Sequence, residues 1–256
     1  MNNYFKYFGI SLILVISILY TEKINDLLIS NNQLFDEIKT NKDNYYIKSV
    51  NAEIKDNYII PGLNGMDVNV FESYNNMKEL EVFSSDYLLY NEVKPSISIN
   101  NNKDKIISKG NSLKNAVSII LEDNNILIDY SSRINILFSR LVNMCTYDNS
   151  NSYEQINNDY NNYKDLERKM KSQSSICVIN DNLLELCKSY NKYLIEPSIK
   201  ITKNSIGESI KLINSGDIIY VDNNVSLNEY KLILKQIYYK NLKIVNLTTL
   251  ISEERE

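Results

Sequence analysis

From Asn115 to the end of the chain, short apolar runs alternate with segments of helical spacing, and this limits the available folds more than any other feature. The strand-like runs are AVSIIL (116–121), NILIDY (125–130), SICVI (175–179), KYLIE (192–196, stopped by Pro197), IIYV (218–221) and LKIVNL (242–247). Between them, helical spacing is found in RINILFSRLVNM (133–144), near Tyr160, Tyr163, Leu166 and Met170, and in 182–191 and 206–214. The last helix is the clearest. Ser226 and Glu229 fit the S-x-x-E capping box ahead of Leu227, Tyr230, Ile233, Leu234 and Ile237. Such alternation predicts a parallel sheet or barrel with helices outside, joined by right-handed crossovers. Sites in these folds sit at the carboxyl ends of strands. Asp222, in INSGDIIYVDNN (213–224), stands at such an end.

The first 110 residues read differently. An uncharged apolar run extends from Phe8 to Tyr20, with Lys6 before it and Glu22, Lys23 and Asp26 after it. Its length lies between a signal-peptide core and a full membrane span. No small-x-small cleavage site follows, and tyrosines stand at both ends. We read residues 1–21 as an uncleaved signal anchor, ahead of a cleaved signal peptide and of a buried helix. The rest of the chain is then expected outside the cytoplasmic membrane. Residues 22–45 read as a helical stalk and linker, with Ile24, Leu27, Leu28, Leu34, Phe35 and Ile38 at helical spacing. Residues 46–110 read as a small α+β module. It has strands around Val50 and 58–60, a turn at 61–65, a helix in 72–83 and a strand at 95–100.

Of the 256 residues, 43% are hydrophobic and 23% charged, enough for one or two folded domains with a sizeable core. The net charge is −4 and no basic tract stands out, which speaks against nucleic-acid binding. The chain contains no histidine. That removes imidazole bases, Ser-His and Cys-His pairs, and every metal site with histidine ligands. Of the three cysteines, Cys177 and Cys187 could pair outside the cell and leave Cys145 odd; the plainer reading is three buried thiols.

The segment Gly216-Asp217-Ile218-Ile219-Tyr220-Val221-Asp222 resembles the late strand of the polysaccharide deacetylases (carbohydrate esterase family 4). Leu242–Ile251 resembles the final unit of that family, and AVSIILEDNN (116–125) the first strand with its Asp-Asp motif. More weakly, NGMDVNVFESYNNMKEL and NEVKPSISI resemble the stretch before the deacetylase domain in some membrane-anchored members. The resemblance implies a distorted, truncated (β/α) barrel over 111–256. It also implies an ancestral reaction, the metal-assisted removal of acetyl groups from N-acetylated cell-wall sugars.

The chain departs from that family at every histidine. The late-strand histidine place is Asp222, and LVNMCTYDNS (141–150), where the paired metal histidines would fall, has none. A helix is also expected to be missing, since NNILIDYSS follows the first strand almost at once. Glu122-Asp123 is the nearest match to the Asp pair, so Asp123 and Asp222 are the candidate catalytic residues. Glu122, Asp123, Asp148 and Asp222 are the candidate oxygen ligands for a hard cation. The plainer reading makes all four strand-end and loop acids facing solvent. The leading expectation is a membrane-anchored, inactive deacetylase-like protein that binds cell-wall glycan (peptidoglycan) or an envelope partner and has no cofactor. The alternatives are a residual deacetylase using a divalent metal, and a purely structural or assembly protein.

Overall fold

The structure, a computed structural model, describes residues 7–8, 11–12, 32–149, 152–171, 174–180 and 182–255. Its strands begin with β1 (Glu53–Lys55), β2 (Tyr58–Ile60), β3 (Gly65–Val68), β4 (Tyr90–Val93), β5 (Ile106–Ile107) and β6 (Ala116–Leu121). There follow β7 (Ser139–Val142), β8 (Glu154–Asn157), β9 (Ile176–Val178), β10 (Tyr193–Ile195), β11 (Ile199–Ile201), β12 (Ile218–Val221) and β13 (Lys243–Ile244). Among the described residues the α-helices begin with α1 (Gln33–Asn41), α2 (Val70–Met77), α3 (Asn125–Arg133) and α4 (Tyr163–Lys169). They continue with α5 (Leu184–Ser189), α6 (Ile206–Leu212), α7 (Leu227–Tyr239) and α8 (Leu247–Ile251).

The chain divides into two units. One takes the described residues up to Lys48 together with Gly65–Val93; the other takes Ser49–Asn64 and everything from Lys94. The boundary expected at 110 is therefore corrected. Within 46–110, β1, β2 and β5 build a sheet with β10 and β9 of the larger unit, because Ile59 and Ile107 are buried in its core. The stalk is corrected as well. Its described part, α1, is capped by the Asn32 side chain, which accepts from Leu34 N at 2.9 Å. Its Leu34 and Ile38 are buried against Val68, Met77 and Leu88 of the smaller unit. The run read as a signal anchor falls almost wholly outside the described residues. Among the described residues no helix is long and apolar enough to cross a membrane.

The larger unit is built around β6, whose six residues are all buried. A parallel strand covered on both faces can be apolar throughout. Ala116 and Ile120 face an inner core with Ile156, Ile176, Ile195 and Ile218. Val117, Ile119 and Leu121 face an outer core completed by Leu127 of α3 and by Tyr230, Ile233 and Ile237 of α7. The six-stranded sheet has the order β11-β12-β6-β7-β8, with β13 also on β6, and every pair is parallel. The five-stranded sheet has the order β1-β2-β5-β10-β9, parallel except for β1 with β2. Among the described residues no ladder joins the two sheets, so the expected barrel is not closed by hydrogen bonds. Pro197, between β10 and β11, has no N–H to extend a ladder there.

Local readings also change. NILIDY is helix α3, not a strand, so no helix is skipped after β6. Asn124 accepts from Leu127 N at 3.2 Å and caps it, and Leu127, Ile128 and Ser131 form its buried face. Asn135, with a φ of 54°, follows that helix, and the next segment supplies β7, where a helix was expected. Residues 95–100 form no strand. Cys177 and Cys187 form a disulfide between β9 and α5, with Cα atoms 6.1 Å apart, and Cys145 is exposed. The α7 capping box is present, with Ser226 N donating to Glu229 Oε2 at 2.8 Å.

Three phenols of the larger unit are wholly or partly buried. Burial pushes Tyr163, Tyr220 and Tyr230 upward from 10.0, Tyr230 to about 12. A phenol whose pKa is raised in the fold contributes fully below its unfolded pKa and loses that contribution as pH rises through the folded one. Urea midpoints are therefore expected to show no tyrosine-linked change up to about pH 9 and to fall between about pH 10 and 12. Tyr230→Phe should make that fall shallower. Equal midpoints at pH 9 and pH 11.5 would contradict this.

Candidate functional site

A groove of about 250 Å³ opens at the carboxyl ends of the strands of the larger unit. Strand alternation decides what enters it. Leu121 faces the outer helices, so Glu122 turns to the groove; Ile219 and Val221 face outward, so Tyr220 turns inward. In the same way Lys200, between outward-facing Ile199 and Ile201, lines the groove. Asn158 and Asn180 follow β8 and β9, and Leu141, Val178 and Pro197 supply apolar wall.

Burial is the largest influence on the Tyr220 phenol. The Glu122 charge, a hydrogen bond to Glu122 and the charge of Asp222 push it up further. The phenol therefore stays neutral beside the Glu122 carboxylate, which accepts from Asn223 N at 3.3 Å. The groove thus offers a tethered carboxylate, a phenol, an ammonium and two amides beside an apolar wall. That set suits hydroxyl and amide groups of a ligand.

The four acids singled out in the sequence do not converge. Asp123 and Asp148 meet at the Arg140 guanidinium. Nη2 lies 2.9 Å from Asp123 Oδ1, and Nη1 lies 3.4 Å from Asp148 Oδ2. Tyr153 completes the group: Arg140 Nη1 donates to its oxygen at 3.1 Å, and its hydroxyl donates to Asp148 Oδ2 at 2.6 Å. Arg140 is only 6% exposed. Burial opposes its charge, but the hydrogen bonds and charges of Asp123 and Tyr153 outweigh it and hold the guanidinium pKa above its usual value. Asp222 does something else. Its Oδ1 accepts from Asn224 N at 2.8 Å and Nδ2 at 2.7 Å, shaping the turn into α7. Glu122 alone of the four lines the groove.

A divalent ion does not fit these donors. Two of the four carboxylates already neutralise an arginine, one shapes a turn and one accepts from the Asn223 backbone beside a phenol. Among the described residues no group of three or more Cys, Asp or Glu side chains is placed to hold a metal, and the chain has no histidine. Sequence reasoning missed Arg140, Tyr220 and Lys200. Tyr220 could have been found by alternation, two residues before Asp222 on one strand. Arg140 gave no such signal, because its partners lie 17 and 8 residues away.

No family model matches the chain. Over 93 residues it is 34% identical to the uncharacterized protein YlxY of Bacillus subtilis (strain 168), a match covering 36% of this chain and 29% of that protein. The fold is more telling. It aligns with BA3943 of Bacillus anthracis, a CE4 family pseudoenzyme, at a TM-score of 0.59 and 17% identity, covering 87% of this chain and 96% of that one. The fold is that of a family 4 carbohydrate esterase. A BA3943 mutant with restored enzymatic activity aligns at 0.59 and 18% identity, covering 87% and 99%. The resemblance read in GDIIYVD and AVSIILEDNN thus holds for the fold of the chain.

Proposed function

We propose that this is a membrane-anchored, extracytoplasmic protein that keeps the deacetylase fold without its chemistry and binds N-acetylated cell-wall glycan in the groove beside Glu122 and Tyr220. One observation carries the loss of chemistry: Asp123 and Asp148 are spent on Arg140, in a chain without histidine. Among the described residues no ligand set remains to lower the pKa of a metal-bound water or polarise an acetyl carbonyl. The Cys177–Cys187 disulfide supports a location outside the reducing cytoplasm. The amides, phenol and apolar wall of the groove support a sugar as ligand. The likeness to BA3943, itself a pseudoenzyme, supports loss of activity on this fold.

The test has two arms. Incubated with N-acetylglucosamine oligomers and added Zn²⁺, Co²⁺, Mn²⁺ or Mg²⁺, the protein is expected to release no acetate above a protein-free control. Metal-dependent release that disappears in Asp123→Ala would sink the inactive reading. In sedimentation with purified peptidoglycan, the protein should be retained, and Tyr220→Ala should lower retention several-fold. No retention would leave an assembly role without glycan affinity as the better account.

A further inference from the structure

Helix α7 has two working faces. Tyr230, Ile233 and Ile237 are buried in the outer core. Lys231, Leu234, Lys235 and Tyr238 follow one another at i, i+3, i+4 and i+7, so they form a second stripe. That stripe lines a groove of about 560 Å³ together with Tyr130 and Ile134 of the α3 end. Ile134 is 42% exposed and Tyr238 83% exposed, so the apolar wall is open to solvent. This groove is separate from the one at the strand ends and shares no residue with it.

We propose that this groove docks an acidic, amphipathic helix of a partner protein. The argument is one of complementarity. The charged residues lining the groove are two lysines one helical turn apart, on a chain whose net charge is −4. Lys231 Nζ lies 5.0 Å from the Tyr130 ring centroid, which holds an ammonium at the groove wall. Between the two lysines along the stripe lies Leu234, and beyond them lies Tyr238. A helix with apolar anchors at i, i+3 or i+4 would fill the floor, and carboxylates flanking them would meet Lys231 and Lys235. Burying the anchors supplies affinity, and the charges select the partner and its direction.

Selection from a random helical-peptide display library against the full chain tests this. Enriched sequences should pair two apolar anchors with flanking Asp or Glu. Their binding should fall at least tenfold in the Lys231→Glu, Lys235→Glu double variant. Peptides with Lys in place of those acids should bind that variant and not the parent. Circular dichroism of the double variant should match the parent, since both lysines lie outside the buried face. Enrichment of neutral or basic peptides, or binding indifferent to the double variant, would overturn the proposal. So would phosphatidylglycerol vesicles binding through the same lysines while no peptide does, since that would make the face a lipid-docking surface.

Discussion

Glu167→Ala should lower the unfolding free energy by about 3–5 kcal/mol, the usual cost of leaving one charge of a buried pair without its partner. Lys192 and Glu167 have side chains only 6% and 4% exposed, with Nζ 2.5 Å from Oε2. Lys192 also donates to the Ser174 carbonyl, and Asn157 Nδ2 donates to Glu167 Oε1 at 3.1 Å. The network ties α4 to β8 and to the entries of β9 and β10. Removing Glu167 strands an ammonium in the core with one carbonyl for company. Removing both charges should hurt less. The Glu167→Leu, Lys192→Met double variant is expected to be more stable than Glu167→Ala, because no charge remains to be desolvated. Urea unfolding followed by tyrosine fluorescence reads both, in a chain with 20 Tyr and no Trp. A Glu167→Ala cost under about 1 kcal/mol would place the pair among ordinary surface contacts.

Asp217→Ala should cost about 3 kcal/mol, by the same reasoning applied to a buried carboxylate with three partners. Asp217 is fully buried. Its Oδ1 lies 2.8 Å from Lys109 Nζ and accepts from Ser198 Oγ at 2.9 Å, while Oδ2 accepts from Asn214 N at 2.7 Å. Each partner comes from a different segment, so the carboxylate pins the start of β12 to the ends of two other stretches of the larger unit. Lys109 is half-exposed and can turn to water, which keeps the expected loss at the lower end. Asp217→Asn should lose less than Asp217→Ala, since the amide oxygen can still accept from Asn214 N. Chemical denaturation of the two variants side by side checks the order. Equal stability of Asp217→Ala and the parent would remove the carboxylate from any structural role.

These two acids show what the sequence reveals and what it hides. In INSGDIIYVDNN, Asp222 attracted attention because it ends a strand, yet its carboxylate shapes a turn and lies outside the groove lining. Asp217, five residues earlier, holds the strand in place, and its distant partners are invisible until the fold brings 109 and 198 to it. The capping box of α7 was legible because Ser226 and Glu229 are three residues apart. The parallel strands were legible because burial on both faces leaves largely apolar runs such as AVSIIL, broken by Ser118 alone. Helix α3 was misread because one of its buried positions is Ser131. That serine is polar in sequence and satisfied only by the Tyr230 hydroxyl, 2.8 Å away and 99 residues later. Arg140 was hidden for the same reason. A cation in a strand reads as a solvent-facing residue until two acids are found beside it.

The order in which the five-stranded sheet is sewn sets a timetable for synthesis. β5 pairs with β2 on one side and with β10 on the other, so the strand at Tyr58 and the strand at Ile195 join one sheet. At roughly 5–20 residues per second, the early strands wait on the order of ten seconds for their late neighbour. The last piece comes later still. The buried Glu253 carboxylate accepts from Gly62 N and Ile99 N at 3.1 Å each, and Arg255 Nε donates to the Asn64 carbonyl at 2.6 Å. A nascent chain that stalls before Glu253 leaves the Gly62 and Ile99 N–H groups without that acceptor. Such a chain is an incomplete sheet with bare edges, the kind of species that chaperones and quality-control proteases recognise.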